Sequence, residues 1–228
     1  MQRLSSALFL LGLGVLIAAI LGTMQLGNVS PLAGDAINAA AADQVGAANF
    51  VTAVVLGYRG FDTLLELTIL FTAATAGGLV LGKRRKDARR DPDSGFILRA
   101  GADLFFPLLL VVGIYIILHG HLTPGGGFQG GVILAAAFFI PILARPGTSL
   151  DHRLVSIIEG LAGAGFILIG LLAMLAGEEF LTPLLAKGQL GTLLSAGTLP
   201  LLYIAVGLKV GSELAGLLAH LSETEASD

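Results

Sequence analysis

Six stretches of this sequence are apolar over nearly the roughly 20 residues a helix needs to cross a bilayer, and nothing else constrains the fold as strongly. They cover residues 4–22, 61–82, 104–118, 132–144, 154–176 and 197–220. The fourth is short and contains Pro141. It can extend backwards through the preceding glycines, or form a tilted or broken segment. The first follows a single charge, Arg3. It is longer than the apolar region of a signal peptide, and Gly22-Thr23-Met24 is a poor cleavage site, so we read it as a retained helix. With 55% apolar residues, mean hydropathy +0.88 and 13% charged residues, against about 25% charged in soluble domains, the chain has too little polar surface to face water. The expected fold is an all-α integral membrane protein of about six transmembrane helices.

The loops support that count. Arg3, seven basic residues between the second and third stretches (Lys83, Arg84, Arg85, Lys86, Arg89, Arg90, Arg99) and Arg145 and Arg153 all fall on one side. The other side holds Arg59 and Lys187, while Lys209 lies inside the sixth stretch. The positive-inside rule then puts both termini in the cytoplasm. The basic run also marks a natural boundary between a two-helix unit, 1–90, and a four-helix unit, 91–228. We read it as a topology anchor and solvated linker rather than a lipid-binding site. No internal repeat is evident, which argues against a self-sufficient secondary transporter.

Several chemistries are excluded early. Without Cys the chain offers no disulfide, thiolate nucleophile, iron–sulfur ligand or Cys zinc site. The four His form no HExxH pair, and a net charge of −3 gives no reason to expect nucleic acid. We expect no metal site and no cofactor. Trp is absent, so any aromatic belt is weak.

Ionisable groups at membrane depth are costly and by default suggest function. Asp62 and Glu66 stand four apart on one helical face. Asp62 falls near the interface with Arg59 as a possible ion partner. Glu66 is a turn deeper, where desolvation disfavours the charged carboxylate. Lys209 and Glu213 are also four apart, readable as a local ion pair with a snorkelling Lys or as part of an ion path. Glu159 follows Ser156 about a turn into the fifth stretch and reads equally as anchor or path. Asp103 reads as a helix-start carboxylate favoured by the dipole, four residues after Arg99. The densest local signal is His119-Gly-His121-Leu-Thr-Pro124-Gly125-Gly126-Gly127-Phe128-Gln-Gly130-Gly131. Residues 124–131 read as irregular backbone, which at membrane depth must be buried in protein or line a wet cavity. The stretch lacks a P-loop ending, and two His are too few for a metal. A tight turn that lets neighbouring subunits approach is the better reading.

HGHLTPGGGFQGGVI, with RAGADLFFPLLLVVGIYIILHG before it, closely resembles the MnhB-type domain. That domain is the B-type member of the multisubunit Mrp-type sodium/proton antiporters and has a relative in energy-converting membrane-bound hydrogenases. The resemblance extends over about 95–222. Asn49-Phe-Val-Thr-Ala-Val through Arg59-Gly-Phe-Asp62-Thr-Leu-Leu-Glu66 resembles the VTAVLxDxRGFDTxxE region. In the antiporters that region is the C-terminal end of the large A-type polypeptide; in the hydrogenases it is a separate small subunit. The sequence departs from the pattern at Gly57, where an acidic residue is common.

The resemblance implies one small subunit of a large complex related to respiratory complex I, embedded in the cell (inner) membrane. Its partners would be other membrane subunits of an Mrp-type antiporter or hydrogenase-like complex, with Na+ and H+ as the transported ions. It would have no catalytic centre of its own, and any redox ligands would lie on partner chains. Asp62 and Glu66 fall on the family's FDTxxE carboxylates; His119, His121, Pro124, Gly125, Gly126, Gly127, Phe128, Gly130 and Gly131 fall on the B-type signature. The expected ion path uses Glu66, with Asp62, at a subunit interface, and Glu159, Lys209 and Glu213 are further candidates.

Overall fold

The computed structural model describes residues 2–23, 32–82, 94–145 and 147–224, and every regular element among them is helical. Two compact units result, residues 1–37 and 38–228. The first holds α1 (Gln2–Thr23), whose described side chains are exposed along its whole length. Helix α2 (Leu32–Val45) runs across the boundary between these units. Most of the basic run, 83–93, lies outside the described residues, and so does the Arg3 side chain.

The second unit contains α3 (Phe50–Thr52), which passes directly into a π-helical turn over 53–58. Five long helices follow: α4 (Gly60–Leu81), α5 (Phe96–Leu118), α6 (Gly127–Ala144), α7 (His152–Leu175) and α8 (Leu199–Thr224). With α1 they make six candidate membrane spans among the described residues, and the bent pair Leu32–Val45 and Phe50–Tyr58 (91°) makes a seventh if it is counted as one span. Helix α8 packs against α4, α5, α6 and α7. Being surrounded explains how it carries Lys209 and Glu213 as buried residues while α4 and α5 remain mostly exposed.

Two sequence expectations change. Helix α6 begins at Gly127, so Gly127, Phe128, Gln129, Gly130 and Gly131 are regular helix and only 119–126 is irregular. The glycines serve close packing rather than an unwound backbone. A Cβ on Gly127 would lie 2.6 Å from Val206, one on Gly130 2.4 Å from Ile117, and one on Gly131 2.8 Å from Val210. The partners are α5 and α8 of the same chain. Gly126 differs: its φ of 138° suits only glycine, and a Cβ there would strike the Tyr203 ring at 2.7 Å. Finally, α5 starts at Phe96, eight residues earlier than the apolar run, so Asp103 sits inside the helix. It is held by Arg145, just past the end of α6, rather than by a helix N-terminus.

The two motif-bearing segments, far apart in sequence, meet at one end of the bundle. Asn49 caps α3 by accepting from the Val51 amide (3.0 Å) and donates through Nδ2 to the carbonyls of Gly120 (2.8 Å) and Thr123 (2.9 Å). Its own amide donates to His121 O at 3.0 Å. The Thr52 hydroxyl donates to Gly120 O at 2.7 Å and meets Tyr203 Oη at 2.7 Å. One hydroxyl hydrogen serves one acceptor, so Tyr203 is the donor to Thr52. Gly57, which stands where an acidic residue is common in the resembled pattern, rests on Val45: a Cβ there would lie 2.9 Å from Val45 Cγ2.

Candidate functional site

Helices α7 and α8 bring together charges that the sequence separates by up to 54 residues, and α4 adds an aromatic ring beside them. Lys209 is ten residues into α8, about 15 Å at 1.5 Å per residue. A charge near the bilayer centre costs about 2.5–3.5 kcal/mol by insertion scales, so it needs partners. Lys209 Nζ donates to Glu213 Oε2 at 2.9 Å, one turn along the same helix, and to Glu159 Oε1 at 2.9 Å, from α7. Its ammonium also stands 4.7 Å from the centroid of the Phe71 ring on α4, a cation–π contact. Lys209 is 8% exposed and Glu213 4%. The snorkelling alternative therefore does not describe Lys209: its charge is turned inward.

Glu213 Oε1 is buried and has no hydrogen-bond partner among the described residues. It borders a partly open cavity of about 210 Å³ between α4, α7 and α8, whose walls include Thr75, His152, Ser156, Glu159 and His220. At the far end, His152 Nε2 and Glu223 Oε1 lie 2.9 Å apart, and His220 Nε2 is 2.9 Å from the Gly82 carbonyl. A second cavity, about 260 Å³ and mainly apolar, lies on the other side of Glu159 and Phe71 and is bordered by Leu64, Leu67, Gly163, Ile167 and Lys209. With both carboxylates ionised, the cluster of one ammonium and two carboxylates carries one net negative charge.

Asp62 and Glu66 are not part of this cluster. Arg59 Nε donates to Asp62 Oδ2 at 2.5 Å, with both side chains substantially exposed. Arg59 and Asp62 border a cavity of about 440 Å³ with Gln44, Tyr58 and Glu179 at the opposite end of α4. Glu66 is exposed on the outer face of α4 and makes no ion pair or hydrogen bond among the described residues. Nothing among the described residues covers it.

The histidines of the 119–131 motif differ in environment. His119 stacks on Tyr115 with centroids 4.1 Å apart. Pro124 is exposed and Phe128 half-buried. His121 is fully buried, and neither ring nitrogen has a hydrogen-bond partner of good geometry among the described residues. Burial lowers its proton affinity, the nearby Thr192 and Leu193 backbone raises it, His119 lowers it, and the net direction is down from the ordinary 6.5. The unfolded chain then binds this proton more tightly than the folded one. Stability should fall as pH drops from 6.5 toward the folded value and flatten below it. Thermal midpoints of the purified complex between about pH 7.5 and 5 should show this slope, and His121→Gln should reduce it; an unchanged slope would exclude His121 as its source.

Sequence reasoning found Lys209 and Glu213 as an i, i+4 pair, but Glu159 had no local signal tying it to them. Phe71 was not singled out at all, since an aromatic in an apolar run carries no mark.

A family model described as a domain related to the MnhB subunit of Na+/H+ antiporter matches residues 97–216. An uncharacterised protein of Methanocaldococcus jannaschii is 34% identical, with 74% of each chain covered. A Staphylococcus aureus protein carrying the name of antiporter subunit mnhB2 is 31% identical over 40% of this chain and 66% of its own length. Among solved structures, a chain of the membrane-bound sulfane sulfur reductase, an archaeal respiratory membrane complex, superposes with TM-score 0.80 at 37% identity. That match covers 96% of this chain and 97% of the other. A chain of the Mrp complex from Dietzia sp. DQ12-45-1b matches with TM-score 0.77 at 27% identity, over all of this chain and 26% of that one.

Proposed function

Because this chain belongs to the family of domains related to the MnhB subunit of Na+/H+ antiporters, we propose that it is a membrane subunit of a multisubunit cation/proton antiporter. It helps form the ion-translocating region and performs no catalysis of its own. The observation that carries this reading is the buried Lys209 held between Glu159 and Glu213 beside a polar cavity. A helix bundle that needed only packing would avoid the cost of three ionisable groups at that depth. The end of the bundle bearing the α8 C-terminus faces the cytoplasm in this reading, as the basic residues direct. The partners are other membrane subunits.

Glu66 adds a second element. Its carboxylate projects from the outer face of α4, where an adjoining subunit can complete a cation or proton path with Asp62 nearby. The expected result of Glu66→Gln is a complex that assembles normally but loses most antiport in everted vesicles. Antiport at the wild-type rate in an intact complex removes Glu66 from the path; failure to assemble with normal transport per complex assigns it a purely structural role.

The end-to-end match with the sulfane sulfur reductase chain supports a second reading, in which the same subunit sits in the membrane arm of a redox-driven ion pump. Purifying the native complex through this chain and identifying its partners by mass spectrometry separates the two. Antiporter subunits alone mean exchange driven by existing gradients. Nickel–iron or iron–sulfur subunits mean redox drive.

A further inference from the structure

The two cavities beside Lys209 differ in chemistry. The one bordered by Glu213 has hydroxyl, imidazole and carboxylate groups in its walls, and its volume of about 210 Å³ leaves room for several waters with polar partners. The other, reached past Phe71 and Glu159, has Thr68, Glu159 and Lys209 at its edge and is otherwise walled by Leu64, Leu67, Phe71, Ile167 and two glycines, so away from those three groups it offers water few partners. Water that reaches the carboxylates from the His152 and His220 end therefore meets an apolar barrier just beyond them.

We infer that the α4–α7–α8 cleft is a one-sided aqueous half-channel and that Glu213, beside Lys209, is the proton-loading group at its inner end. The inference rests on the reading of this chain as part of an ion-translocating region and names the ion handled at this site. Three features carry it. Glu213 Oε2 is taken by Lys209, while Oε1 is buried without a partner among the described residues and the side chain borders the polar cavity. The ammonium already stands 2.9 Å from both carboxylates, in the place a metal cation would need, and repels one. A proton instead neutralises the one net negative charge without displacing Lys209.

The step is a simple transfer. A hydronium in the cavity gives its proton to Glu213 Oε1; one O–H bond breaks in the donor, one forms on the carboxyl, and water is left behind. Lys209 then keeps its charged partner Glu159 and loses that charge on Glu213, so its balance between the two helices shifts until the proton leaves. The titratable groups around Glu213 are Glu159 and His152 from α7 and Lys209, His220 and Glu223 from α8. Among the described residues α4 contributes Phe71, Ala74, Thr75 and Gly78 and nothing that titrates.

The chain contains no Cys, so an introduced cysteine is its single thiol, and labelling in the native complex is read on this chain after the subunits are separated. Ser156→Cys and Thr75→Cys line the polar cavity; Leu64→Cys and Gly163→Cys line the apolar one. In right-side-out and everted vesicles, a membrane-impermeant methanethiosulfonate should label the first two from one face only and the second two from neither. Glu213→Gln in assembled complex should reduce formation of the pH gradient at least tenfold. Labelling at Leu64 as fast as at Ser156, or no labelling at Ser156 and Thr75 from either face, overturns the half-channel. So does Glu213→Gln with an intact pH gradient, or with a changed sodium affinity and unaltered proton movement. The labelling pattern decides even if Glu213→Gln fails to assemble. A wild-type complex that moves no ions removes the antiporter reading while leaving that pattern in place.

Discussion

Lys209→Met should deplete the chain from the membrane and lower the thermal midpoint of any complex that forms. The substitution keeps most of the unbranched side chain but removes the ammonium, leaving Glu159 and Glu213 without the cation that both contact at 2.9 Å. Breaking a buried pair by removing one partner costs about 3–5 kcal/mol, because the remaining charge stays desolvated. That is a large share of the roughly 5–15 kcal/mol by which a typical folded domain is stable. The same argument predicts a rescue. Adding Glu159→Gln and Glu213→Gln removes the uncompensated charge, so the triple variant should return toward wild-type abundance while remaining inactive in proton movement. The measurement is the amount of this chain in membranes and the midpoint in a detergent melt. A Lys209→Met protein with wild-type abundance and midpoint would mean that the ion pairs contribute nothing to the fold.

Gly130→Val should be at least as damaging, for a steric reason. A Cβ at this position would stand 2.4 Å from Ile117 Cγ1 and 2.7 Å from the Gly113 carbonyl oxygen. The second contact is backbone, so α5 and α6 must separate before any side chain fits. Overpacking of this kind costs about 1–3 kcal/mol for an added methylene, and Val adds more than that. Gly165→Ala on α7 is the matched control: nothing lies within 4 Å of its Cβ. Alanine there should leave the melt unchanged or raise it, since glycine is the poorer helix former by about 1 kcal/mol. Equal melts for Gly130→Val and Gly165→Ala would show that the α5–α6 approach is looser than these distances require.

The Gly130 case also shows how a motif can be legible while its mechanism is not. Five glycines among residues 124–131 mark a place where backbone must do something unusual. From the sequence the choice lay between irregular chain and helix at close quarters, and the answer depended on Ile117 from α5 and on Val206 and Val210 from α8. Asp103 followed the same course. Its neighbour Arg99 was visible four residues away, but its ion partner is Arg145, forty-two residues on. Arg59 and Asp62 were legible as a pair, being adjacent turns of one chain segment.

The sequence by itself determined the solvent of this protein, its set of about six long apolar helices and the family it resembles. Those follow from apolar runs of membrane length, from basic residues gathered in alternate loops, and from the local order of a motif, none of which needs a distant contact. Only the tertiary structure decided which helix lies at the centre, that Glu159 on α7 joins Lys209 and Glu213, and that Glu66 faces outward while Lys209 faces in. The helices of membrane length among the described residues are apolar around most of their circumference, so none carries a strong stripe to say which face is buried. In a bilayer that choice falls to the fit of small residues and to polar groups that must find one another.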